Sequence, residues 1–143
     1  MKRAAFFVLT ALLFFSCSSN DNGSTPTIST PTITVNGTEV LSATFTLQEI
    51  RVRGNGIDST LSPPAATGTA VATSDGRFTS NISIPSQNFE ASFSGSYSIS
   101  GNTLTMNWDD GTVEQWTISA DRNQVLGAGT SEGFTLTQTW VRV

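Results

Sequence analysis

The residues of this 143-residue chain that could do chemistry are one cysteine and one close group of carboxylates. Asp109, Asp110 and Glu114 form that group, and two such carboxylates can act as a general acid and a general base. However, Asp109 and Asp110 stand directly before Gly111, in a turn signal where aspartate is preferred for backbone reasons. The alternate-residue ligand pattern of a calcium loop is absent. The chain also contains no histidine to activate a serine or to bind zinc. We therefore expect no enzyme activity, no metal and no cofactor.

The single cysteine, Cys17, follows a segment with the layout of an export signal. Lys2 and Arg3 form a positively charged start, residues 4–15 form an apolar stretch, and Ser16 offers a small residue for cleavage. The apolar stretch has 12 residues, which is too short for a membrane-spanning helix. The sequence therefore predicts a signal peptide over residues 1–16.

The run Phe-Phe-Ser-Cys at residues 14–17 resembles the bacterial lipobox, in which the signal is cut before a cysteine that carries lipid. This resemblance implies a lipoprotein in which Cys17 is acylated, for example with palmitate, and is anchored in the outer membrane. Several acyl chains would make that anchor stable. Whether the domain faces the periplasm or the cell surface stays open. The alternative is a soluble secreted protein with a stray cysteine near its cleavage site.

The mature chain is acidic. Loss of Lys2 and Arg3 leaves five arginines, no lysine and no histidine against eleven acidic residues, which is a net charge of −6. Such a surface repels phosphate backbones, so we expect no nucleic-acid partner. An acidic surface is also not attracted to anionic lipid, so contact with the membrane would depend on the lipid anchor alone.

Composition divides the rest of the chain into a linker and a β-rich domain. Residues 17–31 are rich in Ser, Thr, Asn, Asp, Gly and Pro, which is typical of a flexible tether. Residues 32–143 are rich in β-branched and aromatic residues, and their apolar positions alternate, most clearly over residues 89–99. About eight strands follow, with a Pro-containing loop over residues 54–66. We therefore predict an all-β antiparallel fold, either an up-and-down barrel or a closed sandwich.

Two tight turns predict a specific strand register. A two-residue loop at Gly101-Asn102 places Tyr97 opposite Met106. A three-residue loop that ends at Gly111, with this glycine at positive φ, places Leu104 opposite Trp116. With these loops the apolar side chains of the three strands share one face. A further hairpin turn is expected at Asp75-Gly76, and the last strand is expected over residues 134–142.

Several segments resemble bacterial lipocalin-like domains. The closest match is Gly-Ser-Tyr-Ser-Ile-Ser-Gly-Asn-Thr-Leu-Thr at residues 95–105, which is similar to the central hairpin of that family. Residues 110–112 and 117–118 continue it. Residues 41–47 resemble the family's opening strand, and residues 136–140 its closing strand. The resemblance implies an antiparallel up-and-down β-barrel of about eight strands on a lipid anchor, with an open end that can bind a small hydrophobic molecule.

Aromatic side chains supply the candidate ligand contacts, although most aromatics in a small domain fill the core. Tyrosine and tryptophan are the better candidates, because their polar atoms need partners when they are buried. The expected lining residues are Phe93, Tyr97, Met106, Trp108, Trp116 and Trp140.

These observations support three hypotheses of function. The first is a lipid-anchored, lipocalin-like binding module for a small hydrophobic or amphipathic molecule. The second is a surface lipoprotein with a filled β core that acts as a structural module or contacts proteins or glycans. A third and weaker one is a hydrolase that uses carboxylates.

Overall fold

The computed structural model describes residues 33–35 and 38–143, and these residues form an all-β structure. A single turn of 3-10 helix, Pro85–Gln87, lies between two of the strands. None of the described residues forms a helix long and apolar enough to span a bilayer. The predicted signal peptide, Cys17 and the linker lie outside the described residues. The strands are β1 (Ile33–Val35), β2 (Thr38–Val40), β3 (Ala43–Gly54), β4 (Ile57–Leu61), β5 (Thr67–Ala72), β6 (Arg77–Ile84), β7 (Phe89–Ser100), β8 (Thr103–Trp108), β9 (Val113–Ile118), β10 (Gln124–Ser131) and β11 (Phe134–Arg142).

Eight strands close into an antiparallel barrel. β5 pairs with β3, and each strand from β6 to β11 pairs with the strand before it. β11 then returns to pair with β3, which closes the sheet. The connections follow chain order, so the topology is up-and-down. The predicted fold class is confirmed, and the barrel is the alternative that the chain adopts. Closure removes the free sheet edges that an open sheet would expose.

The predicted hairpin registers are also confirmed. Tyr97 lies opposite Met106, and Leu104 lies opposite Trp116. Gly111 has a φ of 87°, a conformation that glycine adopts without steric cost. The Trp108 amide donates a hydrogen bond to the Thr112 carbonyl and closes the three-residue loop. These turns are local, so short-range sequence rules are sufficient to place them.

The segment 54–66 differs from the prediction, because the expected loop contains strand β4. Gly54 and Gly56 both have positive φ and form a turn with Asn55 between them. The chain then pairs back onto β3, with Leu61 opposite Ile50. β5 pairs only with residues 43–46 of β3, and β4 pairs with residues 50–54. β4 therefore extends the barrel wall along the second half of β3.

β3 bends at a bulge. The register between β11 and β3 shifts between Thr139 and Trp140. Phe45 and Leu47 face the interior before the bulge, and Ile50 faces it afterwards. One extra residue in a strand shifts its alternation in this way and increases its local twist. Both halves of this long strand therefore keep apolar side chains inside the barrel.

One end of the barrel is closed by the segment that leads into β3. Leu41 is 4% exposed, and its amide donates a hydrogen bond of 2.7 Å to the Tyr97 hydroxyl. That hydroxyl also lies 3.0 Å from the Leu41 carbonyl oxygen and 2.9 Å from the Thr73 carbonyl oxygen. Tyr97 thus connects the entry to the barrel with the turn between β5 and β6. Burial raises the pKa of the Tyr97 hydroxyl above its usual value.

Candidate functional site

The inner face of the barrel has a filled half and a partly exposed half. Toward the end closed by Leu41, the inward side chains are almost fully buried, including Phe45, Leu104, Ile118 and Trp140. Toward the other end, inward side chains on β7, β8, β9 and β11 are only partly buried. We call this second region the open half. Its partly buried inward residues are Phe89, Ala91, Phe93, Trp108, Glu114, Phe134, Leu136 and Gln138.

The six side chains predicted to line a ligand site all face the interior, but at different depths. Tyr97, Met106 and Trp140 are buried in the filled half, and Met106 is 0% exposed. Trp116 lies between the two halves and is 7% exposed. Phe93 and Trp108 are partly buried and belong to the open half. Only these last two present substantial surface to an incoming molecule.

Four aromatic rings form a cluster between the two halves. The ring centroids of Trp108 and Trp116 are 5.8 Å apart, with the ring planes inclined at 62°. Phe78 packs edge-on against both indoles, at 6.1 Å and 6.4 Å. Phe93 lies 6.0 Å from Trp108 on the open side. The edge-to-face contacts among Phe78, Trp108 and Trp116 are favourable for aromatic rings and hold the indoles in place.

Glu114 is the polar centre of this cluster. It lies opposite Met106 in the pairing of β8 with β9, so its side chain shares the inner face with Trp116. Its Oε2 accepts a hydrogen bond of 3.1 Å from Trp108 Nε1 and another of 3.0 Å from Trp116 Nε1. Two indole donors therefore fix one carboxylate oxygen inside the barrel.

Glycine makes room for this arrangement on the neighbouring strand. A Cβ atom placed on Gly127 would lie 2.8 Å from the Trp116 ring, which is closer than carbon atoms can approach. Gly127 and Gly129 are inward positions of β10, opposite Gln138 and Leu136 of β11. β10 therefore contributes bare backbone beside the indole of Trp116.

Two more polar side chains face the interior. Gln138 accepts a hydrogen bond of 3.2 Å at Oε1 from Trp140 Nε1. Ser80 is 7% exposed and lies opposite Phe93 in the pairing of β6 with β7. The walls around the open half thus combine aromatic surface with a carboxylate, an amide and a hydroxyl. This mixture is typical of small-molecule sites, in which few polar groups set the orientation of the ligand.

The other two carboxylates of the sequence group do not join Glu114. Asp109 is exposed and pairs with Arg77, with Nη2 2.9 Å from Oδ2, and it also accepts a hydrogen bond of 2.6 Å from Ser94. The Arg77 guanidinium, followed by the Ser94 hydroxyl, lowers the pKa of Asp109 below its usual value. Asp110 accepts a hydrogen bond from the amide of Thr112 within the turn. Across the described part of the chain, no three His, Cys, Asp or Glu side chains are grouped to hold a metal ion.

The arginines of the described residues all have partners other than Glu114. Arg51 and Arg53 contact Asp58, and Arg122 contacts Glu39 with 2.8 Å between Nη2 and Oε2. The Arg51 hydrogen bond lowers the pKa of Asp58 to about 2. Arg77 pairs with Asp109, and Arg142 donates to the carbonyl of Ser42.

No protein-family model, no curated protein and no solved structure matches this chain.

Proposed function

We propose that this protein is a binding module that holds one small hydrophobic or amphipathic molecule in the open half of its barrel. The observation that carries the proposal is the partly exposed aromatic wall around Phe93 and Trp108, with Glu114 facing inward beside it. Covering apolar surface stabilises a complex by about 25 cal/mol per Å² removed from water. An eight-stranded barrel has an interior wide enough for one small ligand.

The closed up-and-down topology of this chain is compatible with the lipocalin-like family that residues 95–105 resemble. We propose that the protein is a member of the bacterial lipocalin-like domain family. The export layout of residues 1–16, with Cys17 behind it, supports a lipid anchor at the outer membrane. A binding barrel on such an anchor would hold or transfer its ligand within the cell envelope.

A second candidate function is supported by the filled half of the barrel and by apolar residues outside it. Leu126 of β10 and Val113 of β9 are 43% and 62% exposed. Exposed apolar side chains on a sheet can form part of a contact with another protein. In that case the protein would be a structural or interaction lipoprotein, and its open half would take up no ligand.

Binding of N-phenyl-1-naphthylamine, a neutral apolar fluorophore, distinguishes the two functions. We expect saturable binding at one site, with quenching of tryptophan fluorescence as the probe approaches Trp108. Ala91→Phe should abolish binding, because Ala91 is a partly buried inward residue of β7 and the added ring fills the open half. Ser92→Phe is the matched control, since the adjacent side chain is exposed on the outer face. A folded wild-type protein that binds no probe would support the interaction function instead.

The lipid anchor has its own test. Cys17→Ala should leave the chain uncleaved or soluble, because the acylated residue is then missing. Detergent phase separation measures this directly. If the variant partitions into the detergent phase like the wild type, the proposed anchor is wrong, whatever the barrel binds.

A further inference from the structure

The interior of the barrel contains one unbalanced negative charge. On the eight strands that close the barrel, Glu114 is the one carboxylate that strand alternation places on the inner face. Glu39 of β2 lies opposite Ile99 but forms an ion pair with Arg122. Residues 38–143 contain five arginines, no lysine and no histidine. Each arginine has a partner elsewhere, as described above, and no ion pair within these residues includes Glu114.

The two indoles hold Glu114 without neutralising it. Trp108 Nε1 and Trp116 Nε1 both donate to Oε2. No hydrogen bond from residues 38–143 reaches the other oxygen, Oε1. Neutral donors stabilise a carboxylate but leave its net charge in place, and a charge that is partly removed from water is costly unless it is paired. The carboxylate is therefore held in position with one oxygen available to a ligand.

From this geometry we propose that the ligand carries a protonated amine, which donates a hydrogen bond to Glu114 Oε1 while an apolar body packs against Phe93 and Trp108. This inference depends on the proposed binding function and specifies the chemical class of the ligand. A hydrogen bond between two charged groups is about twice as strong as a neutral one. Aromatic rings attract cations placed near their faces, which favours a cation in an aromatic site.

The charge of the whole domain favours the same class of ligand. Residues 38–143 contain ten carboxylates against five arginines, so the field around the barrel attracts cations and repels anions. A fatty acid or another anionic amphiphile would meet both this field and the Glu114 carboxylate. Repulsion between an anionic ligand and the Glu114 carboxylate disfavours binding unless one of the two groups is protonated.

Three probes that share a naphthalene ring test the proposal. At neutral pH, 1-naphthylmethylamine is a cation, 1-naphthalenemethanol is neutral, and 1-naphthaleneacetate, the carboxylate of 1-naphthaleneacetic acid, is an anion. Dissociation constants are measured with the full chain by displacement of N-phenyl-1-naphthylamine, and by calorimetry. We expect the cation to bind about tenfold more tightly than the alcohol or better, and the anion to bind most weakly.

Glu114→Gln tests the residue, because its amide oxygen still accepts the indole hydrogen bonds while the charge is lost. The cation and the alcohol should then bind within about threefold of each other. Glu90→Gln is the matched control, since Glu90 is exposed on β7 and its loss changes the net charge equally. It should keep the wild-type preference. The comparison of the three probes on the wild-type protein needs no variant to fold.

The outcomes separate the two proposals. If the alcohol or the anion binds the wild type as tightly as the cation does, the amine inference is overturned and the binding function stands. If the preference survives in Glu114→Gln, or is lost equally in Glu90→Gln, the assignment to Glu114 is overturned. If neither the three probes nor N-phenyl-1-naphthylamine binds, both proposals fall.

Discussion

Replacing Tyr97 with phenylalanine removes one oxygen atom at the closed end of the barrel and should destabilise the whole domain. The hydroxyl accepts the amide hydrogen of Leu41 at 2.7 Å, and both residues are more than nine-tenths buried. In Tyr97→Phe that amide has no partner, and an unsatisfied buried group costs about 1–3 kcal/mol. The single hydroxyl proton, which can be donated to the carbonyl oxygen of either Leu41 or Thr73, is also lost. We expect a loss of about 2 kcal/mol in the free energy of unfolding.

Urea denaturation and thermal melts followed by circular dichroism measure this loss. A change of about 2 kcal/mol corresponds to roughly 8 °C in Tm for a domain of this size. Ser98→Ala is the matched control, because it removes an exposed hydroxyl from the same strand and should change stability by less than about 0.5 kcal/mol. A loss below about 0.5 kcal/mol in Tyr97→Phe would refute the reasoning.

The same hydroxyl predicts a pH dependence. Burial raises the pKa of Tyr97 in the folded state, so above about pH 10 the unfolded chain releases a proton that the folded chain retains. Unfolding free energy should therefore fall as the pH rises from about 10 through the raised pKa. The chain has one tyrosine, so Tyr97→Phe should remove this fall. An identical alkaline profile in the two proteins would contradict the assignment.

Three further predictions test the turns, the surface and the packing. Gly111→Val should cost on the order of 1–2 kcal/mol in a urea melt, because φ is 87° and the surrounding space is open, so the cost is backbone strain alone; unchanged stability would contradict it. NMR titration of Asp58 should give a midpoint of about 2, and Arg51→Gln should move it up toward 3.8; stability that depends on this ion pair is then lost as the pH falls through that range. Gly127→Ala should displace the Trp116 indole and shift its emission, with a loss of about 1–3 kcal/mol; an unshifted spectrum would argue against the close contact.

The sequence predicts the local parts of the fold well because local rules determine them. Tight turns set the register of neighbouring strands, and period-two alternation assigns each side chain to a face. The turn at Gly101 and the turn at Gly111 therefore have the lengths that the sequence predicts. Strand β4 was missed because five residues with apolar side chains only at Ile57 and Leu61 give a weak alternation signal.

The non-local features lie beyond such rules. The Tyr97 hydroxyl was expected to need a partner, but that partner is the backbone of Leu41, 56 positions earlier in the chain. The bulge near Glu49 becomes visible only when β11 is paired with β3. Both features depend on how distant strands meet when the barrel closes.

The candidate site combines features that local sequence rules predict with features that depend on distant parts of the chain. The predicted pairing of Leu104 with Trp116 implies that Glu114 lies opposite Met106 on the inner face, as it does, and this is a signal that a carboxylate lies inside the barrel. The convergence of Trp108 and Trp116 on one oxygen depends on side-chain rotamers and on Gly127 of the next strand. The register alone cannot specify those rotamers, because each side chain has several allowed conformations.

The most direct test of ligand binding in the open half is the NMR spectrum of the three indole N–H groups during titration with N-phenyl-1-naphthylamine. Trp108 lies in the open half, Trp116 lies between the two halves and shares the Glu114 oxygen with Trp108, and Trp140 is 1% exposed in the filled half. We predict that the signals of Trp108 and Trp116 shift and saturate together while that of Trp140 stays in place. If no indole signal moves in the folded protein, or if Trp140 alone moves, the open half is not the binding site.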